Sequence, residues 1–399
     1  MRLPHTTWRM GRSGVPAERL PSAQSAAGHP VLHILRARRA LSEEGQGPPY
    51  SDGYRLGLAI EGGGMRGIIS GAMLSAIEDL GFAMCFDRIY GTSSGAINGA
   101  YLPAGNIWYF LSIYYDDLTT RQFVDFRRPL FGKDILDLDY AFGEIVVRRK
   151  PLDTAPVLAS RKLCVGVTDV DQRRTLAVDD FDSPEDLISA LVASSWLPIA
   201  KRGVAVFRGA RCLDGGLLLP HAYRMALQDG CSHVLSLSTR PAGAWLTHSR
   251  VGVGLLARYL DGLSHGLGPV YRDAMVQRDQ DQAFLDRETF GNARTSVLDL
   301  RPPASAPIVG RHEMNKATLL GAARESYALV HSALSSGRNV DGQASMPSVI
   351  PRLTAVPTPP HRRAVKPVGG RTVRANADIE SPRWAGWQPS RLGDPPATP

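Results

Sequence analysis

The stretch Leu56-Gly57-Leu58-Ala59-Ile60-Glu61-Gly62-Gly63-Gly64-Met65-Arg66-Gly67, continued by Asp87-Arg88-Ile89-Tyr90-Gly91-Thr92-Ser93-Ser94-Gly95-Ala96, decides the fold. Each part is a short apolar run that ends in glycine and small polar residues and opens a helical pattern. Between them Ile69, Met73, Ile77 and Leu80 recur at helical spacing, and Gly81 ends the pattern. A parallel sheet puts successive strand-to-helix turns at the same carboxyl edge, because the crossover helix returns the chain to its starting side. Backbone amides of the first turn then face the serine of the second.

Ser93 stands between Gly91 and Gly95, which leave room for a sharp, strained turn that lifts its Oγ toward a substrate. Such a turn is a nucleophile elbow; the same residues also suit a plain helix N-cap. The amides of Gly62, Gly63 and Gly64 open a helix unpaired and carry the positive end of its dipole, so they can hold an anion. If the anion is a tetrahedral intermediate, each donor is worth roughly 2.7–4 kcal/mol of barrier. Arg66 adds a fixed charge that suits a substrate phosphate or an acidic side chain equally well. Gly62, Gly64 and Gly67 also satisfy the dinucleotide fingerprint, but its acidic residue should end the second strand, and Asp87 precedes it.

A catalytic serine needs a base, and the most suggestive carboxylate is Asp214 in Cys212-Leu213-Asp214-Gly215-Gly216-Leu217, which follows the alternating run Val204-Ala205-Val206-Phe207. By itself an Asp-Gly pair is a common turn. The order of the glycine cluster, the elbow and Asp214-Gly215-Gly216 resembles the patatin-like phospholipases, and Ala193-Ser194-Ser195-Trp196-Leu197-Pro198 resembles the small-residue and proline loop before the aspartate in many members. The likeness runs over residues 55–338. It implies an α/β fold, three layers with a mostly parallel central sheet and helices on both faces.

The resemblance also implies the chemistry. Ser93 is the nucleophile and Asp214 its partner in a Ser-Asp dyad; Gly62, Gly63 and Gly64 form the oxyanion hole, with Gly67, Gly91, Gly95, Gly215 and Gly216 as supporting turns. The substrate is a lipid ester, cleaved through an acyl-enzyme, with no metal and no organic cofactor. One departure stands out: many members continue into an Asn-Pro step, where this chain reads Leu217-Leu218-Leu219-Pro220-His221. An aspartate with a pKa of about 3.9 is a poor base at neutral pH, and burial beside Leu213 and Leu217 would raise it. Two rivals remain: a Ser-His-Asp esterase drawing on His221, His233, His248, His265, His312 or His331, and a non-hydrolytic protein that binds an acyl chain or nucleotide.

The net charge of +8 is confined to the ends: residues 1–53 hold seven basic against four acidic residues, and residues 338–399 nine against four. The body between them is neutral, so no nucleic-acid partner is expected. Residues 1–53 read as a flexible basic extension, 54–337 as the acyl hydrolase domain and 338–399 as a disordered proline-rich tail. Arg36, Arg38 and Arg39 follow Val31-Leu32-His33-Ile34-Leu35, a basic amphipathic helix for a membrane surface or, preferred, one packed on the domain. No apolar run has the ~18 residues of a membrane span, and Met1-Arg2-Leu3-Pro4-His5 does not lead into the apolar core expected of a signal peptide. Cys85, Cys164, Cys212 and Cys231 lack paired metal spacing, which points to free thiols in the cytoplasm, with peripheral membrane contact as an addition. Trp108, Tyr109, Phe110, Tyr114 and Tyr115 read as core first and as an acyl pocket second. Residues 251–267 read either as a mobile cover or as an ordinary packed helix.

Overall fold

The computed structural model describes residues 28–105, 107–241, 249–288 and 296–335. Eight strands form one sheet: β1 Leu56–Ile60, β2 Arg88–Thr92, β3 Leu163–Asp169, β4 Arg174–Val178, β5 Ala205–Phe207, β6 Ala210–Asp214, β7 His233–Leu237 and β8 Val297–Leu300. Strands β3, β2, β1, β7 and β8 run parallel in that spatial order, while β4, β5 and β6 join antiparallel at the β3 end. The expected mostly parallel α/β sheet is present.

Period-two alternation divides the buried side chains between two layers. Leu58, Ile60, Ile89, Val165, Leu235, Leu237 and Leu298 face one core, built with the helices Gly67–Asp79, Ser94–Tyr101 and Lys316–Ser335. Ala59, Tyr90, Cys164, Val234 and Val297 face a second, smaller core with Tyr223, Met225 and Ala226 of the helix Tyr223–Gln228 and with Leu285. Burial on both faces is why these strands read as unbroken apolar runs. The layers leave only the strand ends open.

The basic stretch after Leu35 forms the helix Pro30–Glu43. Val31, Leu32, Ile34 and Leu35 enter the larger core. Arg38 is fully buried; its Nε bonds Asp52 at 2.7 Å and its Nη1 bonds Asp87 and the Cys85 carbonyl, both at 2.8 Å. The helix packs on the body, and Arg38 is spent on internal pairs rather than offered to a membrane. The remaining residues of the two expected tails, 1–27 and 338–399, lie outside the described residues.

Among the described residues no helix is long and apolar enough to cross a membrane. All four cysteines are free and buried, and burial holds the Cys85 and Cys212 thiols up at about 11. Residues 251–267 fall on two helices, Arg250–Leu263 and Leu267–Glu288.

Candidate active site

The register of β3 explains how two distant residues meet. Residues 163–166 of β3 pair with β2, ending at Thr92 opposite Gly166, and residues 167–169 pair with β6, with Asp214 opposite Val167. Strand β4 pairs with 165–169 throughout, so it holds the other edge of β3, and β2 and β6 share one edge. They approach along it from opposite directions and stop head to head. Ser93 follows the last residue of β2 and Asp214 is the last residue of β6.

That junction has no room for side chains. A Cβ on Gly215 would overlap the Gly166 carbonyl oxygen, and one on Gly91 would stand 2.6 Å from the Ala96 nitrogen. Gly62 and Gly95 face each other, so that a Cβ on either would strike the backbone of the other turn, at Thr92 and Ile60 respectively. The glycine turn and the elbow are therefore in direct backbone contact. Gly63 and Gly64 take φ of 146° and 62°, conformations open to glycine at little cost. A Cβ on Gly67 would overlap the hydroxyls of Tyr114 and Ser94.

Ser93 has φ 54° and ψ −135°, a strained geometry for a residue with a side chain, costing on the order of 1–3 kcal/mol. The surroundings hold it there: the Ser93 N–H donates to Ser194 Oγ at 2.8 Å, and Ser194 Oγ donates to the Gly166 carbonyl at 2.7 Å. Asp214 is buried. Its Oδ1 accepts the Gly216 N–H at 2.8 Å, and the Ser93 side chain lies within hydrogen-bonding reach of the carboxyl. Burial pushes the Asp214 carboxyl above the usual range; the Ser93 hydroxyl, the Gly216 amide and the charge of Arg311 pull it back only in part.

The glycine amides are not equivalent. The Gly63 N–H is taken by Ser94 Oγ at 2.9 Å, whereas the amides of Gly62 and Gly64 have no protein acceptor among the described residues. Arg66 is buried, with Nε donating to Thr239 Oγ1 at 3.2 Å. Burial, then the charges of Arg240 and Arg311, bring its pKa down to about 9 against the opposing pull of Glu61.

Glu61 is the carboxylate that sequence reasoning passed over. Its Oε2 accepts the Thr239 N–H at 2.6 Å and its Oε1 pairs with Arg240 Nη1 at 2.9 Å. Burial pushes it up, but Arg240, His221, Arg66 and the Thr239 amide outweigh that and hold it at about 2.

Ser93, Asp214 and the glycine turn open on a cavity of about 350 Å³. Its inner walls are apolar: Phe110, Ile113, Tyr114, Leu118, Phe142 and Val146 come from the stretch 107–149, which contains two wide π-helical segments, Ile113–Asp117 and Asp139–Arg149. Arg66, Arg240, Arg278 and Arg311 also line it. Arg311 has no side-chain partner among the described residues and comes from an irregular segment with no local signal to single it out. Of the early aromatics, Phe110 and Tyr114 reach the cavity, whereas Trp108 bonds Asp79 at 2.9 Å.

Among the described residues the rival assignments do not assemble. Asp87 lies before β2 and accepts the Leu56 N–H at 2.7 Å at the start of β1, the opposite end of these strands from the glycine turn, so no ribose partner stands beside Gly62–Gly67. No described histidine hydrogen-bonds Asp214. His221 is buried among Glu61, Asp281 and Arg240, His233 opens β7 at the far edge, and His265 is fully exposed. His331 stacks on Tyr327, and His312 lines the cavity against Phe126. His248 lies outside the described residues.

Comparison with known proteins gives one family: residues 58–227 match the model described as patatin-like phospholipase. Among curated relatives, the uncharacterized protein YjjU of Escherichia coli is 27% identical over 201 residues, half of this chain and 56% of that protein. The mouse patatin-like phospholipase domain-containing protein 5 is 27% identical over 136 residues, 33% of this chain and 30% of that protein. The chain thus spans about half the length of the first relative and less of the second. VipD from Legionella pneumophila is a solved structure aligned over 71% of this chain and 67% of its own, at 13% identity and a TM-score of 0.35.

Proposed function

From a chain that carries a patatin-like phospholipase domain over residues 58–227, we propose a serine acyl hydrolase that cleaves carboxylic esters of lipids through a Ser93–Asp214 dyad. The observation that carries this reading is the head-to-head meeting of β2 and β6, which sets a strained serine against a buried carboxylate at the head of an apolar cavity. Ser93 Oγ attacks the ester carbonyl while Asp214 takes its proton, forming the C–O bond of a tetrahedral intermediate. The intermediate's oxyanion is held by the unpaired amides of Gly62 and Gly64, and its collapse expels the alcohol, which regains the proton. Water then hydrolyses the acyl-enzyme by the reverse path.

Two features support the fit. The raised Asp214 carboxyl is a better base than a free aspartate, and the depth of apolar wall suits an acyl chain. The guanidinium groups of Arg66, Arg240, Arg278 and Arg311 against the carboxylates of Glu61 and Asp214 favour an ester that carries a phosphoryl head group over a neutral glyceride.

The test is turnover of nitrophenyl esters, phospholipids and glycerides by the native protein, Ser93→Ala and Asp214→Asn, with fluorophosphonate labelling. Turnover lost in both variants and labelling lost with Ser93 are expected. Full activity in Asp214→Asn would remove the dyad. A native protein that neither labels nor turns over any ester would leave binding of an acyl chain as the better reading.

A further inference from the structure

The segment 118–136 has two sides. Leu118, Phe123 and Leu136 line the cavity. Between them Phe126, Leu130 and Phe131 are 62%, 82% and 78% exposed, the last two being the most exposed large apolar side chains among the described residues. Single exposed apolar side chains are ordinary. Three within six positions, on the reverse of a cavity wall, are a patch.

The exposure is built rather than slack. The short turn Arg128–Phe131 closes at Gly132 with φ 69°. Arg128 donates to the Arg121 and Gln122 carbonyls at 3.1 and 2.6 Å. Arg202 bonds Asp134 at 2.8 Å and also the Gly132 carbonyl, and Val124 bridges to Leu136 across the base of the loop. Phe126 sits edge-on to His312 at 5.4 Å, and His312 lines the cavity, which puts the loop against the cavity's lining.

The charge around the patch selects its occupant. Residues 121–134 hold four basic against two acidic side chains, and Lys201 and Arg202 adjoin them through Asp134. Asp125 is bound to Arg127, Asp134 to Lys201 and Arg202, Asp137 to Arg128 and Asp139 to Lys201, so these six basic and four acidic groups leave the rim positive, with the exposed Arg121 and Lys133 in no ion pair among the described residues. A second copy of this chain would bring the same basic rim against it, an unfavourable isologous contact. Anionic lipid head groups are complementary to the rim, and acyl chains to the apolar tip.

We propose that residues 126–133 form a membrane-docking loop, which inserts Leu130 and Phe131 into an anionic bilayer while Arg121 and Lys133 meet the head groups. Docking thereby brings the segment that supplies Leu118, Phe123 and Leu136 to the cavity up to the lipid. The proposal deepens the acyl hydrolase reading and rests on it for the identity of the surface.

The experiment is flotation of the full chain with phosphatidylcholine vesicles, with and without phosphatidylglycerol. Native protein is expected to float with the anionic vesicles, less with the neutral ones, and less again at high salt. Leu130→Ser with Phe131→Ser should lower the anionic partition more than about tenfold, and Arg121→Gln with Lys133→Gln about fivefold per charge removed. Both pairs should turn over a short, water-soluble nitrophenyl ester at the native rate. Phe131→Trp should show a blue shift in emission with anionic vesicles. Native-level flotation of the serine pair, or an unmoved Phe131→Trp spectrum, would overturn the proposal. So would a dimer in sedimentation that the serine pair breaks while flotation is unchanged. Flotation is read without turnover: if it depends on Leu130 and Phe131 while no ester is cleaved, docking stands and only the hydrolase reading falls.

Discussion

The two walls of the cavity are made differently. The wall that carries Ser93, Asp214 and the glycine turn is backbone against backbone, with Gly62, Gly91, Gly95 and Gly215 at separations that admit no Cβ. The opposite wall is made of side chains, chiefly Phe110, Ile113, Leu118, Phe142 and Val146, projected from a short α-helix, wide helical turns and a loop. Backbone contacts cannot be adjusted by small steps, whereas a side-chain wall can be recut one methylene at a time. On the proposed function, chemistry falls to the part that cannot drift and selectivity to the part that can.

The sharpest way to break this contrast lies in the rigid wall. Ser93→Ala should cost about 10⁴-fold or more in turnover while leaving the thermal melt near native, because only the attacking atom is lost. Gly215→Ala should abolish turnover by a different route. Its Cβ meets the Gly166 carbonyl, so about 3 kcal/mol or more of stability should go with it, measured by urea melts. A stable, active Gly215→Ala protein would refute the claim that this wall is fixed by its backbone.

Glu61 tests the electrostatic part of the same wall. Its folded pKa of about 2 lies below the ordinary 4.5, so its contribution is full above pH 4.5 and is lost as pH falls toward 2. Glu61→Gln should cost about 3 kcal/mol at pH 7 and flatten the loss of stability between pH 4.5 and 2, by melts across that range.

The Asp214 carboxyl is shifted the other way. The acid limb of kcat/KM should therefore fall above the usual carboxylate range, and Arg311→Gln should move it further up, since Arg311 favours the ionised form. A limb that stays put in Arg311→Gln would separate that arginine from the base.

The smallest effect belongs to the adjustable wall. Phe142→Leu should cost less than about 1.5 kcal/mol of stability and shift the acyl-length optimum toward longer chains by a few-fold in kcat/KM.

The same division decided what the sequence made legible. The strands, the glycine turn and the turn at Ser93 are local, so spacing placed them, whereas choosing a nucleophile elbow over a plain helix N-cap at Ser93 took the neighbouring motifs; burial on both faces of the sheet followed from unbroken apolar runs. Asp214 needed the motif around it, because nothing in an Asp-Gly pair says that β6 will stop opposite β2. Ser194 lay in a loop already marked out, yet its bridge from the Ser93 amide to Gly166 is a tertiary contact. Arg240 and Arg311 carry no periodic or turn signal; their place depends on where β7 and a late loop end. Arg38 is a case where the preferred reading, a helix packed on the domain, matches the structure, although no local signal named Asp52 and Asp87 as its partners.

The abutment of β2 and β6 has a practical consequence. On the proposed chemistry the two halves of the dyad belong to chain segments that a cut between β4 and the helix Pro184–Ser194 would separate. Each fragment would keep one reacting group and part of β3's edge or its complement. Ester cleavage would then return only when the fragments reassociate, which makes the fold a candidate split reporter whose signal is the closing of two seams, β3 with β6 and β1 with β7.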